Sequence, residues 1–166
     1  MSPIRYSIRA HVAGGATPVQ ALVQANRRLV ELDPFASCLY ACLDFARRRA
    51  VLATAGHPPP ILRHPDGHTE VLHLPPGLLL GIAPDADYPS TEIPLESGTV
   101  LALYTDGLVE TPGVDLDDAI AGIAAQLAHA PHRQSMDRLA TDLIDHAKLT
   151  GPRTDDMALL LIKVVR

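Results

Sequence analysis

The segment DDMALLLIKVV, residues 155–165, constrains this chain most. It is a short run too apolar to leave one face open to water, so it reads as a buried strand. It comes last, after two stretches with helical periodicity, so the sheet it joins is laid down earlier in the chain. The order of elements is one helix, about six strands, two helices and a final strand. Strands and helices are therefore segregated, which predicts an α+β fold and not alternating βαβ units.

The first helix is predicted in ATPVQALVQANRRLVELD. Thr17 is its N-cap, Pro18 its first position, and Gln20 completes a capping box. Val19, Leu22, Val23, Leu29 and Val30 are expected on one face. FASCLYACLDF and AVLATAGHPP flank ARRR as a hairpin, with the arginines in a solvated turn. PILRHP and TEVLHL flank Pro65-Asp66-Gly67 as a second hairpin. GLLLGIAP is a short apolar piece between prolines. YPSTEIPL, with two prolines, should be an edge strand, and GTVLALYT a central one. Two amphipathic helices follow. The first carries a stripe of Leu116, Ile120, Ile123 and Leu127; the second has Leu139, Leu143, Ile144 and Ala147 behind a Ser135 cap.

The length of 166 residues fits a single domain over 1–166 with a real core. That core must rest on Leu, Ile, Val and Ala, because aromatics are 4% and Trp is absent. The net charge of -5 argues against a nucleic-acid surface, which needs a clustered basic face. Cys38 and Cys42 are four apart in one strand, about 13 Å, too far for a disulfide. They read as buried thiols in a reducing cytoplasm. No signal-like segment and no apolar run of about 18 residues occurs, so no membrane association is expected.

The chemistry centres on carboxylates. Asp106 ends one apolar strand in LALYTDGLVETPG; Asp155 and Asp156 begin another. If the two strands are antiparallel neighbours, these ends meet at one rim. Carboxylates gathered without cations repel each other, and a hard divalent cation such as Mg²⁺ or Mn²⁺ relieves that. Gly107 would let backbone come close to ions or water. The plainer alternative stays open at this level, since Asp-Gly is a common turn. His57, in TAGHPPPIL, could be a ligand, a general acid or an orienting group near a phosphate, with a structural residue beside a turn as the plainer reading. His64, His68 and His73 scatter on strand spacing, so a zinc site is not expected. No nucleophile elbow, P-loop or dinucleotide fingerprint is present.

Four pieces in order, FASCLYACLDFARRRAVLATAGHPPPILRHPDG, GLLLGIAPDADY, GTVLALYTDGLVET and DDMALLLIKV, resemble the SpoIIE/RsbU-like branch of the PPM (PP2C-type) serine/threonine phosphatases. The resemblance covers about Pro18 to Val165. It implies two antiparallel sheets packed as a sandwich with flanking helices. It also implies two Mn²⁺ or Mg²⁺ ions and attack of a metal-activated water on phosphoserine or phosphothreonine. Asp106 and Asp155 match family metal ligands. Asp156 and Gly107 match their neighbours, and Gly56 and His57 match a site-shaping turn. The expected partner is a phosphorylated regulator of the anti-sigma-factor-antagonist type, in sigma-factor or stress signalling; dimeric arrangements occur among relatives, so a homodimer is compatible.

The sequence departs from the pattern at its start. The family's other ligands lie in a GGDWYD-like strand and a GDVxGHG-like turn, and neither occurs here. MSPIRYSIRAHV resembles the stretch just after that turn. The chain thus reads as an N-terminally incomplete phosphatase domain, expected to show little Mn²⁺-dependent hydrolysis. The alternative is a catalytically incompetent short form acting as a partner-binding module.

Overall fold

A computed structural model describes residues 14–32, 35–151 and 155–165. The MSPIRYSIRAHV stretch and residues 152–154, which the sequence places before the last strand, lie outside the described residues. The elements are α1 (Pro18–Leu32), β1 (Cys38–Asp44), β2 (Arg49–Ala55), β3 (Ile61–Arg63), β4 (Thr69–Val71), β5 (Ser90–Pro94), β6 (Val100–Tyr104), α2 (Leu116–His129), α3 (Met136–Leu149) and β7 (Leu159–Lys163). The segregated α+β order is borne out. The chain divides into two compact units: one holds the described residues up to His57 with Leu74–Leu95, the other Pro58–His73 with the residues from Glu96 onward.

In the first unit, α1 starts where the capping box requires. Thr17 N–H donates to Gln20 Oε1 at 2.9 Å, and Gln20 N–H donates to Thr17 Oγ1 at 3.3 Å. The buried stripe is not the valine-rich one expected. Ala21, Leu22, Ala25, Asn26 and Leu29 face inward, while Val19, Val23 and Val30 are half-buried. Small alanines let the helix approach the sheet, where Leu22, Ala25 and Leu29 pack with Ala53, Ala55, Leu80 and Tyr88. Asn26 is fully buried but satisfied: Nδ2 donates to Ala83 O at 2.7 Å, and Oδ1 accepts from Gly81 N–H at 2.8 Å.

The sheet of this unit runs β1-β2-β5, antiparallel throughout, so among the described residues β5 is an edge strand, in keeping with Pro89 before it and Pro94 at its end. The β1–β2 turn holds the arginines in solvent. Asp44 accepts from Arg47 N–H and from its guanidinium, both at 2.9 Å, and these contacts hold the Asp44 carboxyl below its usual range. Arg49 reaches Glu92 on β5 at 2.6 Å.

The two thiols differ, against the expectation that both are buried. Both are free, but Cys42 is exposed and Cys38 is half-buried, with desolvation pushing its thiol up to about 11. The thiolate is the nucleophile. Iodoacetamide at about pH 8 is therefore expected to alkylate Cys42 well before Cys38. Fragment-ion mass spectrometry of the singly modified peptide reads this out, and equal labelling would contradict it.

The second unit carries the sheet β4-β3-β6-β7, all antiparallel. β6 is central, as expected. Its core joins Ile61, Ala102 and Tyr104 with Ile120, Ile123 and Leu127 of α2 and Leu139, Leu143 and Ala147 of α3. Asp115 caps α2, accepting from Asp117 and Asp118 N–H, and Ser135 caps α3, accepting from Arg138 N–H. Leu116 leaves the expected stripe and is exposed, because it sits on the first turn beside the cap. Arg63 is buried and, among the described residues, forms no ion pair with a carboxylate; its Nη2 donates to Ala130 O at 2.8 Å, at the C-terminal end of α2 where the helix dipole favours a cation. β7 is not enclosed on both sides. Among the described residues it is an edge strand paired with β6 alone, and Leu160 is 55% exposed.

Candidate metal centre

The antiparallel register of β6 and β7, with Tyr104 opposite Leu159, brings the end of one strand to the start of the other. Asp106 and the Asp155-Asp156 pair therefore share one rim of the sheet. Thr105 fastens them. Its N–H donates to Ala158 O at 3.0 Å, its hydroxyl accepts from Ala158 N–H at 2.8 Å, and the same hydroxyl donates to Asp156 O at 3.1 Å. Thr105→Val keeps the shape but leaves Ala158 N–H and Asp156 C=O without this partner. A loss of about 1–2 kcal/mol is expected in urea unfolding, and an unchanged midpoint would deny the hydroxyl that role.

Asp106 does not sit in a simple turn. It opens a 3₁₀ turn, Asp106–Leu108, and its carbonyl accepts from Val109 N–H at 2.9 Å and Glu110 N–H at 2.7 Å. Its carboxylate Oδ1 accepts from Gly107 N–H at 2.8 Å, which fixes the side chain. Gly107 is buried, and its role differs from the one expected. A Cβ there would lie 2.5 Å from Asp156 O and 3.0 Å from Asp155 O. The space it leaves is taken by the chain's own carbonyls. Asp155 and Asp156 are exposed, and Asp155 Oδ1 accepts from Asp156 N–H at 2.7 Å.

No ion pair among the described residues involves Asp106, Asp155 or Asp156. Hard oxygen donors of this kind fit Mg²⁺ or Mn²⁺ in type. They fall short in number: among the described residues no group of three or more His, Cys, Asp or Glu is disposed to hold a metal ion.

Gly56 and His57 belong to the first unit. Gly56 has φ 63°, a left-handed conformation that favours glycine, whereas the atom a Cβ would meet, Leu79 Cδ2 at 2.6 Å, is the movable end of a side chain. His57 Nδ1 lies 3.0 Å from Ser37 Oγ, and its N–H donates to Thr54 Oγ1 at 3.3 Å. His64 lies 3.3 Å from Glu70 and stacks at a tilt near His68, with ring centroids 5.3 Å apart. Sequence reasoning missed Thr105. Its only signal was its place between the apolar strand and Asp106.

The fold and this rim define a class: the fold is that of the PP2C-type phosphatase domains. The phosphatase domain of SpoIIE from Bacillus subtilis, manganese-presoaked, superposes with a TM-score of 0.67 at 16% identity, covering 100% of this chain and 74% of that one. The RsbU and RsbW domains of a Mycobacterium tuberculosis protein match with a TM-score of 0.82 at 28% identity, covering 98% of this chain and 46% of that one. The chain belongs to the family described as Stage II sporulation protein E (SpoIIE), whose model matches residues 1–165. It is similar to the phosphoserine phosphatase RsbU of Bacillus subtilis (strain 168), 31% identical over 113 residues, 66% of this chain. It spans 34% of the length of that relative. No helix among the described residues is long and apolar enough to cross a membrane.

Proposed function

We propose that this chain is a metal-dependent phosphoprotein phosphatase domain acting on phosphoserine or phosphothreonine. The observation that carries the proposal is the rim on which Thr105 fastens Asp106 to the Asp155-Asp156 segment, in a fold shared with phosphatase domains. Asp106 and Asp155 would hold Mn²⁺ or Mg²⁺, with Asp156 beside them. Bound ions would supply charge neutralisation at the phosphoryl group and a water of lowered pKa. Asp106 is oriented for this by Gly107 N–H. His57 and Gly56 shape their own turn. In the overall reaction, water oxygen bonds to phosphorus, the bond to the seryl oxygen breaks, and that oxygen leaves as the hydroxyl.

The substrate in this reading is a phosphorylated regulator in sigma-factor signalling in the cytoplasm, with residues 1–166 as one domain. Its support is the likeness to RsbU and to a chain that carries RsbU and RsbW domains together. The test is phosphate release from a seryl-phosphorylated protein by the purified chain in Mn²⁺. Release that disappears on chelation supports the reading, and metal-independent release rejects it.

One observation favours a second reading, that of a partner-binding module. Among the described residues the carboxylates do not reach a group of three. Capture of the phosphoprotein with no phosphate release would select it.

A further inference from the structure

The two edges of β6 are held unequally. Its ladder with β7 runs to the end of the strand, where Tyr104 faces Leu159. Its ladder with β3 stops two residues sooner, at the pair of Ala102 with Ile61. The cause lies in the sequence. Pro58, Pro59 and Pro60 precede Ile61, and proline has no N–H to give to a neighbouring strand. The piece of β6 that leads into the Asp106 turn therefore has a strand partner in β7 and none in β3.

One side chain spans that gap. Tyr104 is 5% exposed, and its ring shares the core with Ile61, Ala102 and Leu108. Its hydroxyl donates to Pro59 O at 2.6 Å. Tyr104 stands directly before Thr105, whose bonds to Ala158 and Asp156 hold the same piece of chain on the β7 side. A strand fastened along one edge can still roll about that edge. A second fastening on the opposite edge removes the roll. Here a roll would move Asp106 against Asp155 and Asp156, which lead into β7.

We infer that Tyr104 is a positioning residue for the candidate metal centre: through Pro59 its hydroxyl holds the β3 side of the end of β6, so that the Asp106 carboxylate keeps its place relative to Asp155 and Asp156. Tyr104 acts through Asp106 and not as a ligand. It supplies from a side chain the fastening that three prolines cannot give from the main chain. The inference rests on the reading of Asp106 as a metal ligand and deepens it, naming what orients that ligand from the side opposite Thr105.

The experiment compares two variants of the whole chain. Tyr104→Phe keeps the ring in the core and removes the hydroxyl. Ser135→Ala is the control: it removes the α3 cap, which lowers stability without touching the rim. The first readout is amide hydrogen exchange by NMR without metal. It follows Gly107 N–H, which donates to Asp106 Oδ1, and Glu110 N–H, which donates to Asp106 O. Tyr104→Phe is expected to quicken both by at least about fivefold, and Ser135→Ala by less than about twofold. The second readout is titration calorimetry with MnCl₂. Groups that orient a ligand from behind set metal affinity strongly, so Tyr104→Phe is expected to weaken Mn²⁺ binding by at least about tenfold and Ser135→Ala by less than about twofold.

Unchanged exchange at Gly107 in Tyr104→Phe overturns the positioning role, as does equal quickening in Ser135→Ala. Quickened exchange with unchanged Mn²⁺ affinity overturns it too, because the carboxylate would then bind the ion without this support. An unmodified chain that takes up no Mn²⁺ rejects the metal reading instead, and the exchange rates then decide alone whether Tyr104 holds the Asp106 turn.

Discussion

Asp106→Asn is expected to weaken Mn²⁺ binding by at least about 10²-fold, and His57→Ala by less than about threefold. The amide is isosteric with the carboxylate and can still accept from Gly107 N–H, so the turn should survive. What it removes is the negative charge that a hard cation requires. His57 is engaged by Ser37 and Thr54 within its own unit, so truncating it should disturb the Ala55-Gly56-His57 turn more than the ion. Titration calorimetry with MnCl₂ gives both affinities. The reverse order would move the ion to the histidine.

Gly107→Ala should have the larger effect on folding. Its φ is not in the left-handed region, so backbone conformation is no obstacle. The obstacle is that a Cβ would meet Asp156 O at 2.5 Å and Asp155 O at 3.0 Å, and these are main-chain atoms. They cannot swing aside as a side chain end can, so the two segments at the rim must part. Overpacking of this kind costs about 1–3 kcal/mol, or a melting midpoint lowered by roughly 2–12 °C for a chain of this size. Metal affinity should fall with it. Gly122→Ala is the control: on α2 its Cβ meets only His146 Nε2, at 3.3 Å, and alanine favours the helix. A melting curve unchanged by Gly107→Ala would show that the rim is slacker than these distances imply.

Local chemistry was legible in the sequence. The Thr17–Gln20 box and the Ser135 cap are short-range patterns, and both form as read. The meeting of Asp106 with Asp155 and Asp156 followed from one assumption, antiparallel pairing of two apolar runs, which the register bears out. What was not legible depends on partners distant in sequence. The α1 stripe centres on alanines and Asn26 because the sheet and the residue 81–83 loop, not hydrophobicity, choose its buried face. Cys42 reads as apolar in a window but is exposed, although it shares the face of β1 on which Cys38 and Tyr40 pack against the α1 core. A glycine beside Asp106 suggests that backbone can come close to ions or water, and nothing local reveals that two carbonyls from some 50 residues onward lie against its open side.

The latch at Thr105 has one more consequence. Leu159 and Leu161 of β7 pack on the helix-covered core, while Leu160 and Ile162 alternate with them. Because all four are apolar, a shift of β7 by one residue would present an equally greasy face, and burial could not reject it. Such a shift would carry Asp155 about 3.3 Å along the rim. Alignment is instead indexed at the two ends: by the three Thr105 bonds at one, and by Gly98 N–H to Val164 O with Val164 N–H to Thr99 O at the other. The interior of the strand is therefore free to exchange one aliphatic residue for another without disturbing the carboxylates, whereas the Thr105 hydroxyl is the one side chain among the groups that set the gauge between them.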